Sequence, residues 1–378
     1  MGSILFDRFN SFVSGLSLPD LATFIFAGLI IILCLFIIIY QRQLRNREAN
    51  TGRWDFIADH MIRSAIFFEE DEPVEPAKVF EQIISTQKFA VPDRLQKLLK
   101  NSHFRKLLSG KLVAAKRNMT GGASDNLSQL YKQLDLDKRA IEMLDSSSWY
   151  LKALSLQQLG IMGLQEYEEK IFGYVNHKRG LIRVEAQNAI LKFQGFGGLR
   201  FLDTASYPIT EWQQIKLLDE LSQLPNEHFT GIDVWLSSTN DTVILFALKL
   251  VKTYHRFELY DQVKECLKHT NPEVRRQAIW VLKELPNHET ASDLITVYPA
   301  ENTRNQITIL HVLESVSTGS EIPFLSGLLD DESDEIKFNT VRTLASLGTE
   351  GMEVVMQHPM SDKFPLNQII AQIKEELR

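Results

Sequence analysis

The sequence predicts an all-α protein, with one N-terminal transmembrane helix followed by an α–α superhelical solenoid. Three observations support this fold class. A long apolar run without a charge begins at residue 21, and helical apolar periodicity recurs after residue 50. From about residue 146 the pattern repeats roughly every 31 residues. The chain has 378 residues, a net charge of −7 and two cysteines, which is ordinary for a folded protein and argues against a disulfide framework.

The apolar run at residues 21–40 predicts a membrane span. It reads LATFIFAGLIIILCLFIIIY, and about 20 helical residues match the thickness of about 30 Å of the hydrocarbon core. A cleavable signal peptide is the alternative, but its apolar region would have only about 7–15 residues and would end in small residues. We therefore expect an uncleaved, single-pass helix.

Basic residues beside this run predict its orientation. Only Arg8 precedes it, whereas Arg42, Arg45 and Arg47 follow it closely. By the positive-inside rule, the short N-terminus at residues 1–20 should lie outside and the C-terminal domain in the cytoplasm. The predicted location is therefore the inner (cytoplasmic) membrane.

Three zones follow the span. Residues 41–76 form a juxtamembrane connector that ends in an acidic, proline-containing stretch, and residues 77–145 form a helical neck. Residues 146–378 form the predicted solenoid, which follows from a column of small or apolar residues at helix centres. The column is Ala153, Ala186, Leu217, Ala247, Ala278, Ile309, Thr340 and Ala371. Repeats of this length hold two helices and two turns, and they must stack to bury their apolar faces.

Several of these copies resemble HEAT repeats. The segment Asn271–Ala278 (NPEVRRQA) is similar to the turn and second helix of such a repeat, as are Asp330–Lys337 and Leu181–Ala186. The resemblance covers about residues 146–378, and the whole arrangement is similar to membrane-anchored HEAT-repeat proteins of bacteria. It implies a solenoid that serves as a binding scaffold. The copies centred on residues 217, 309 and 371 depart from the pattern because they lack the basic residue after the first apolar position.

One polar column of the repeat predicts a partner-binding surface. The residues two positions after each helix centre are mostly polar, so this column should face solvent. Trp280 stands in it among polar and basic neighbours, and tryptophan and arginine are enriched at interface hot spots. The alternative is that Trp280 packs between repeats. The candidate partner-binding residues are Lys249, Trp280, His311 and Arg342.

A basic amphipathic segment at residues 94–117 predicts a second surface. It contains no acidic residue, and its leucines recur at helical spacing. Such a face can bind anionic lipid or another polyanion, although a helix pair that packs on the solenoid explains it equally; nucleic acid is disfavoured by the overall acidity. The candidate residues are Arg94, Lys97, Lys100, Arg105, Lys106, Lys111, Lys116 and Arg117.

Signatures of catalysis, metals and cofactors are missing from the sequence. Gly195–Gly198 is glycine-rich but follows a helix, so it indicates a break between repeats rather than a phosphate site. The acidic run Asp330–Glu335 lacks the spacing of a calcium loop and suits a helix start. We therefore expect no cofactor, no metal and no enzymatic activity.

These patterns predict a membrane-anchored scaffold or adaptor that presents a cytoplasmic HEAT-repeat surface to a protein partner, within an envelope or membrane-bound complex. Two alternatives remain open. One is an enzyme of the lyase-like HEAT group, which attaches bilins to carrier proteins. The other is a module that binds anionic lipid or polyanions through residues 94–117.

Overall fold

The structure of the chain is a computed structural model that describes residues 18–67, 89, 93–222, 230–285 and 287–376. Within the first helix, the side chains of residues 26–42 and 51–66 are described. Of the predicted N-terminal segment at residues 1–20, residues 1–17 lie outside the described part, as does the acidic run that begins at Glu69. The chain divides into two compact units, Met1–Arg139 and Ala140–Arg378.

Unit 1 is helical in its described residues. Its helices are α1 (Leu18–Ile66), α2 (Asp93–Leu99), α3 (Ser102–Arg117) and α4 (Gly122–Gln133). Helix α3 begins where the Asn101 side chain accepts hydrogen bonds from the backbone N–H groups of His103 and Phe104. Its apolar stripe, which includes Leu108 and Leu112, is buried where α3 packs against α1 and α4.

Helix α5 (Leu136–Asp145) contains the division between the units. The later helices are α6 (Trp149–Met162), α7 (Glu168–Phe172), α8 (Gly180–Gln194), α9 (Glu211–Ser222), α10 (Ile232–Leu236), α11 (Asp241–Thr253), α12 (Tyr260–Glu265), α13 (Pro272–Lys283), α14 (Thr290–Val297), α15 (Thr303–Val316), α16 (Ile322–Gly327), α17 (Asp334–Ser346), α18 (Thr349–Gln357) and α19 (Leu366–Glu376). Short 3₁₀ segments connect several of them, and the described residues contain no strand.

Unit 2 is a stack of helical hairpins in two layers. Helices α11, α13, α15, α17 and α19 pack successively side by side, as do α6, α8 and α9. The shorter helices α10, α12, α14 and α16 each pack on the long helix that follows them. This is the two-helix repeat that the period of about 31 residues predicts. The all-helical architecture agrees with a HEAT-like solenoid.

The central column of the repeat is buried in every copy but the last. Ala186, Leu217, Ala247, Ala278, Ile309 and Thr340 are each 0% exposed. In α19 the frame is rotated, because Ile370 and Ile373 are buried while Ala371 is exposed.

The long helices begin at side-chain caps that follow the same period. Asn240, Asn271, Asn302 and Ser333 cap α11, α13, α15 and α17, each accepting a hydrogen bond from a backbone N–H of the first turn. Such caps satisfy donors that the helix leaves unpaired. The regular spacing of these caps was not predicted from the sequence and is a regularity that the structure adds.

Helix α1 contains the apolar run that predicted a membrane span. Among the described residues, no helix combines the length with the apolar character needed to cross a bilayer. A span requires about 20 apolar residues, and the described side chains of the run extend from Phe26 to Tyr40 before Gln41 and Arg42. This finding contradicts the predicted transmembrane helix at residues 21–40.

The topology and the location that rested on that helix are contradicted with it. Arg42, Arg45 and Arg47 all lie within α1, so their positions no longer define an inside and an outside. The prediction of a single-pass protein in the inner (cytoplasmic) membrane is therefore wrong. The membrane anchor implied by the resemblance to bacterial HEAT-repeat proteins is not supported either.

Candidate functional site

The four predicted partner-binding residues lie on successive long helices of unit 2, and we call them the Trp280 ridge. Lys249 is on α11, Trp280 on α13, His311 on α15 and Arg342 on α17. The rings of Trp280 and His311 are stacked, with centroids 6.4 Å apart and planes at 18°. Both side chains are half-buried. Trp280 therefore both packs on the next repeat and keeps part of its surface open to a partner.

The Glu314 carboxylate lies between two members of the ridge, His311 and Arg342. Glu314 lies 4.0 Å from His311 Nδ1 and 3.4 Å from Arg342 Nε. Lys283 lies over the ring of Trp280, with Nζ 5.9 Å from the centroid. Trp280, His311 and Arg342 therefore form one connected group of aromatic, imidazole and cationic side chains.

Lys249 is connected in the opposite direction. Its ammonium donates a hydrogen bond to Gln214 Oε1 on α9 at 2.8 Å, and the Gln214 amide donates in turn to the carbonyl groups of Ile209 and Thr242. This group links α9 to α11. The structure thus places Lys249 on the ridge but not within the connected group around Trp280.

A second group of side chains, which was not predicted, lies at the start of α6, α8 and α9, with Arg179 just before α8 and Tyr207 in the segment before α9. Its members are three cation–aromatic pairs, which we call the stacked-cation face: Arg179 with Trp149, Arg183 with Tyr207, and Lys216 with Trp212. The distances from cation to ring centroid are 4.7, 4.5 and 5.1 Å. All three rings are exposed, Trp212 by 62%. Arg183 lies in a segment that resembled a HEAT repeat, and this was the only sequence signal for the face.

The predicted basic segment at residues 94–117 forms α2 and α3, and part of its charge is used inside unit 1. Lys111 forms ion pairs with Asp55 and Asp59, both at 2.8 Å, and hydrogen bonds to these carboxylates raise its pKa. Lys116 donates to the Ser124 carbonyl and to the Ser128 hydroxyl, and burial lowers its pKa. These two residues are therefore not available to a polyanion.

The other basic residues of the segment differ in accessibility. Lys97, Lys100, Lys106 and Arg117 are exposed. Arg105 is half-buried, and its Nε has no hydrogen-bond partner in the part of the chain that the structure describes. Arg94 is in α2, and its side chain lies outside the described part. The binding of lipid or a polyanion by the exposed residues stays a prediction.

The glycine-rich stretch and the acidic run have structural roles. Gly198 lies in a 3₁₀ segment where an added Cβ would stand 2.7 Å from the Ile190 carbonyl oxygen, so its glycine allows a close approach. Asp334 and Glu335 lie in the first turn of α17, where their negative charge interacts favourably with the positive end of the helix dipole. No cluster of metal-ligating side chains is present among the described residues.

Comparisons with known proteins gave one relative by sequence. No family model matches the chain. An uncharacterized phycocyanin operon protein Z of Pseudanabaena tenuis is 23% identical over 105 residues, which is 25% of this chain and 52% of the relative. The chain thus spans about half the length of this curated relative.

Solved structures with helical architecture also match. An engineered protein has a TM-score of 0.35 at 10% identity, over 79% of this chain and 97% of its own. Kap121p bound to RanGTP has a TM-score of 0.33 at 12% identity, over 85% and 40%. The CpcE and CpcF complex of phycocyanin lyase from Nostoc has a TM-score of 0.23 at 13% identity, over 82% and 99%.

The structure itself shows a helical-repeat protein. The sequence relative is named as a phycocyanin operon protein, and this match contradicts the expectation of a protein without enzymatic activity. The scaffold function was predicted from the lack of catalytic signatures, but a solenoid can hold a reactive ligand without any of the sequence motifs considered above.

Proposed function

We propose that the chain is a lyase-like helical-repeat protein that holds a bilin, or the bilin site of a carrier protein, against the Trp280 ridge. The observation that carries this proposal is the sequence match to a phycocyanin operon protein. The protein partner expected from the sequence is then the carrier that receives the bilin.

The chemistry of the ridge supports this ligand. A bilin is a linear tetrapyrrole with a flat conjugated system and carboxylate side chains. The stacked rings of Trp280 and His311 offer a flat aromatic surface, and Arg342 is a fork of donors suited to a carboxylate. His311 can also exchange a proton with a bound pyrrole or with a thiol of the carrier. Glu314, between His311 and Arg342, orients both groups.

The proposal is tested with the full chain, a free bilin and an apo-phycocyanin subunit. Bilin retained after gel filtration is measured by absorbance, and covalent transfer is measured on the subunit after denaturation in acid. We expect the chain to retain bilin and to accelerate its transfer. Trp280→Ala and Arg342→Ala should lower retention at least about tenfold, the size of a hot-spot loss.

Trp212→Ala is the matched control, because it removes an exposed tryptophan outside the ridge. Retention in this variant should equal that of the unsubstituted chain. If the unsubstituted chain retains no bilin and transfers none, the lyase-like function is rejected. Equal losses in all three variants would show binding that does not depend on the ridge.

A second candidate function rests on the exposed basic side chains of unit 1. Lys97, Lys100 and Lys106 have no carboxylate partner among the described residues, so their charge is available to an anionic lipid surface. Lys97→Glu with Lys106→Glu should abolish co-sedimentation with vesicles that contain anionic lipid. Vesicles of zwitterionic lipid are the control, and unchanged sedimentation of the variant would exclude this function.

A further inference from the structure

The stacked-cation face carries positive charge that the described part of the chain does not neutralise. Other cations of the long helices in unit 2 have acidic partners, such as Arg275 with Glu301, Lys252 with Glu284 and, on α8 itself, Lys192 with Glu220. Arg179, Arg183 and Lys216 have no such partner among the described residues and lie over aromatic rings instead. An aromatic ring holds a cation in place without cancelling its charge.

The same face exposes apolar surface beside these charges. Trp149 and Trp212 are 44% and 62% exposed, and Leu181 and Ile215 are 47% and 61% exposed. Aromatic residues and arginine at the centre of a patch are typical of protein interfaces. The face therefore offers apolar contact and fixed positive charge together.

We infer that the stacked-cation face binds an extended, acidic segment of a partner protein, with acidic residues at about every third position and apolar residues between them. Charge complementarity selects the acidic residues, and the exposed tryptophans select the apolar ones. This inference goes beyond the proposed function, because it concerns helices and residues that the Trp280 ridge does not include.

The spacing of the helices sets the spacing along the segment. Packed helices lie about 8–10 Å apart, and an extended chain covers that distance in about three residues. Helix α6 packs on α8, and α8 packs on α9. The first contact is close, because an added Cβ at Gly160 would lie 2.7 Å from Ala189 Cβ. Arg179 and Arg183 lie four residues apart at the start of α8, a separation of about 5–6 Å on a helix, and Lys216 lies on α9. An extended segment that runs from the start of α8 to α9 would thus meet a cation at intervals of about two to three residues.

The ring contacts also order the cations before a partner arrives. Arg183 donates a hydrogen bond from Nη1 to the His177 carbonyl at 2.8 Å while it lies over Tyr207. A side chain held in this way loses less conformational freedom on binding than a free one. We therefore expect the aromatic partner of each cation to contribute to affinity even where it makes no contact with the segment.

The experiment titrates the full chain into a fluorescein-labelled peptide of repeated Glu-Ser-Phe triplets and follows anisotropy. We expect saturable binding that weakens as salt rises. Arg179→Glu and Trp212→Ala should each raise Kd at least about tenfold, and Trp149→Ala should raise it through the loss of order at Arg179. Far-ultraviolet circular dichroism confirms that each variant is folded.

Two controls make the result specific. Trp280→Ala should leave peptide binding unchanged, and a Lys-Ser-Phe peptide of equal length should not bind. Absent binding of the acidic peptide, or equal Kd values in the face variants and the unsubstituted chain, would overturn the inference. Bilin retention in Arg179→Glu and Trp212→Ala should stay normal, so failure of this inference is distinguishable from failure of the lyase-like function.

Discussion

Arg183 and Arg275 occupy the same position of two repeats, three residues before the buried alanines Ala186 and Ala278. Each guanidinium donates a hydrogen bond of 2.8 Å from Nη1 to the carbonyl six residues earlier, at His177 and His269. Beyond that shared bond they differ. Arg275 forms a two-pronged ion pair with Glu301 at 2.6 and 3.0 Å, whereas Arg183 lies over the exposed ring of Tyr207.

This difference separates two regions of unit 2. In the later copy the arginine is paired between repeats, and Glu301 retains only 3% side-chain exposure. In the earlier copy the equivalent arginine has no carboxylate partner among the described residues, although other cations of that region, such as Lys192 with Glu220, do have one. The same residue type at the same repeat position thus makes an ion pair between repeats in one region and a contact with an exposed ring in the other.

The largest effect is expected from breaking the buried pair. Arg275→Met keeps the length of the side chain but leaves the Glu301 carboxylate buried, with the Asn305 amide as its remaining hydrogen-bond donor among the described residues. Removing one partner of a buried ion pair costs about 3–5 kcal/mol. Urea unfolding should show this loss. Relative to the unsubstituted chain, amide hydrogen exchange in the variant should be accelerated more in α13 and α15 than in α8.

Arg183→Met is the matched variant in the earlier region. It removes the same bond to the turn but leaves no carboxylate buried, so we expect a loss of about 1 kcal/mol in the free energy of unfolding. A similar loss in both variants would mean that the two arginines have equivalent roles, and the contrast between the regions would be lost.

The next largest effect on stability is expected where a glycine lets two helices approach closely, which happens in both regions. An added Cβ at Gly351 would lie 2.0 Å from the Leu344 carbonyl oxygen, whereas at Gly160 it would meet the side chain and Cα of Ala189. Overpacking of this kind costs about 1–3 kcal/mol. We expect Gly351→Ala to lower the urea midpoint more than Gly160→Ala, because the overlap at 2.0 Å with the Leu344 carbonyl oxygen is more severe than the overlap at 2.7 Å with Ala189 Cβ.

Gly327 is the control for these two glycines, since nothing lies within 4 Å of a Cβ added there. Gly327→Ala should leave the midpoint unchanged or raise it slightly. If Gly160→Ala behaved like Gly327→Ala, α6 and α8 would not be in the close contact that the stacked-cation face requires.

The sequence predicted the solenoid because burial follows the repeat directly. The Ala278 column and the column that contains Leu282 are buried copy after copy, and a period of about 31 residues needs no tertiary information. The departures at copies 217 and 309 also have a physical reason. Gln214 and Gln306 stand where Arg275 does, and their amides donate to turn carbonyls at Ile209 and Tyr298.

The candidate sites were less accessible to the sequence because they depend on contacts between copies. The stacking of Trp280 on His311 could be foreseen from the spacing, but the pairs of Arg183 with Tyr207 and Arg179 with Trp149 join residues of different helices and turns. Such pairs have no fixed separation along the chain. Hydropathy also led to the wrong prediction of a transmembrane helix, because residues 21–40 were considered without the rest of the helix that contains them.

Removal of the periodic helix caps should have a smaller effect on the free energy of unfolding. One of these caps, Asn240, lies where the two regions meet. Asn302→Ala should cost about 1 kcal/mol, the usual worth of a helix cap. Asn240→Ala and Asn271→Ala should cost more, because the amide of Asn240 also donates to the carbonyl groups of Ala205 and Tyr207 and the amide of Asn271 to the Asp241 carboxylate. Ser333→Ala should cost least, since its bond to Ile336 N is 3.4 Å long. Equal losses in all four variants, by urea unfolding, would contradict this order.

The smallest effect at neutral pH is expected for Tyr298, which belongs to the later region. Burial raises the pKa of Tyr298 from 10.0 to about 12, and its hydroxyl has no hydrogen-bond partner among the described residues. Above pH 10 the unfolded chain loses this proton before the folded chain does, so stability falls as pH rises and the loss is complete near pH 12.

Tyr298→Phe removes both the unpaired hydroxyl and this titration. The variant should match or slightly exceed the unsubstituted chain at pH 7, because no hydrogen bond is lost. Between pH 10 and pH 12 its urea midpoint should fall less steeply than that of the unsubstituted chain. Parallel curves over that range would show that Tyr298 is ionised equally in both states, and the packing between α14 and α16 that buries it would have to be revised.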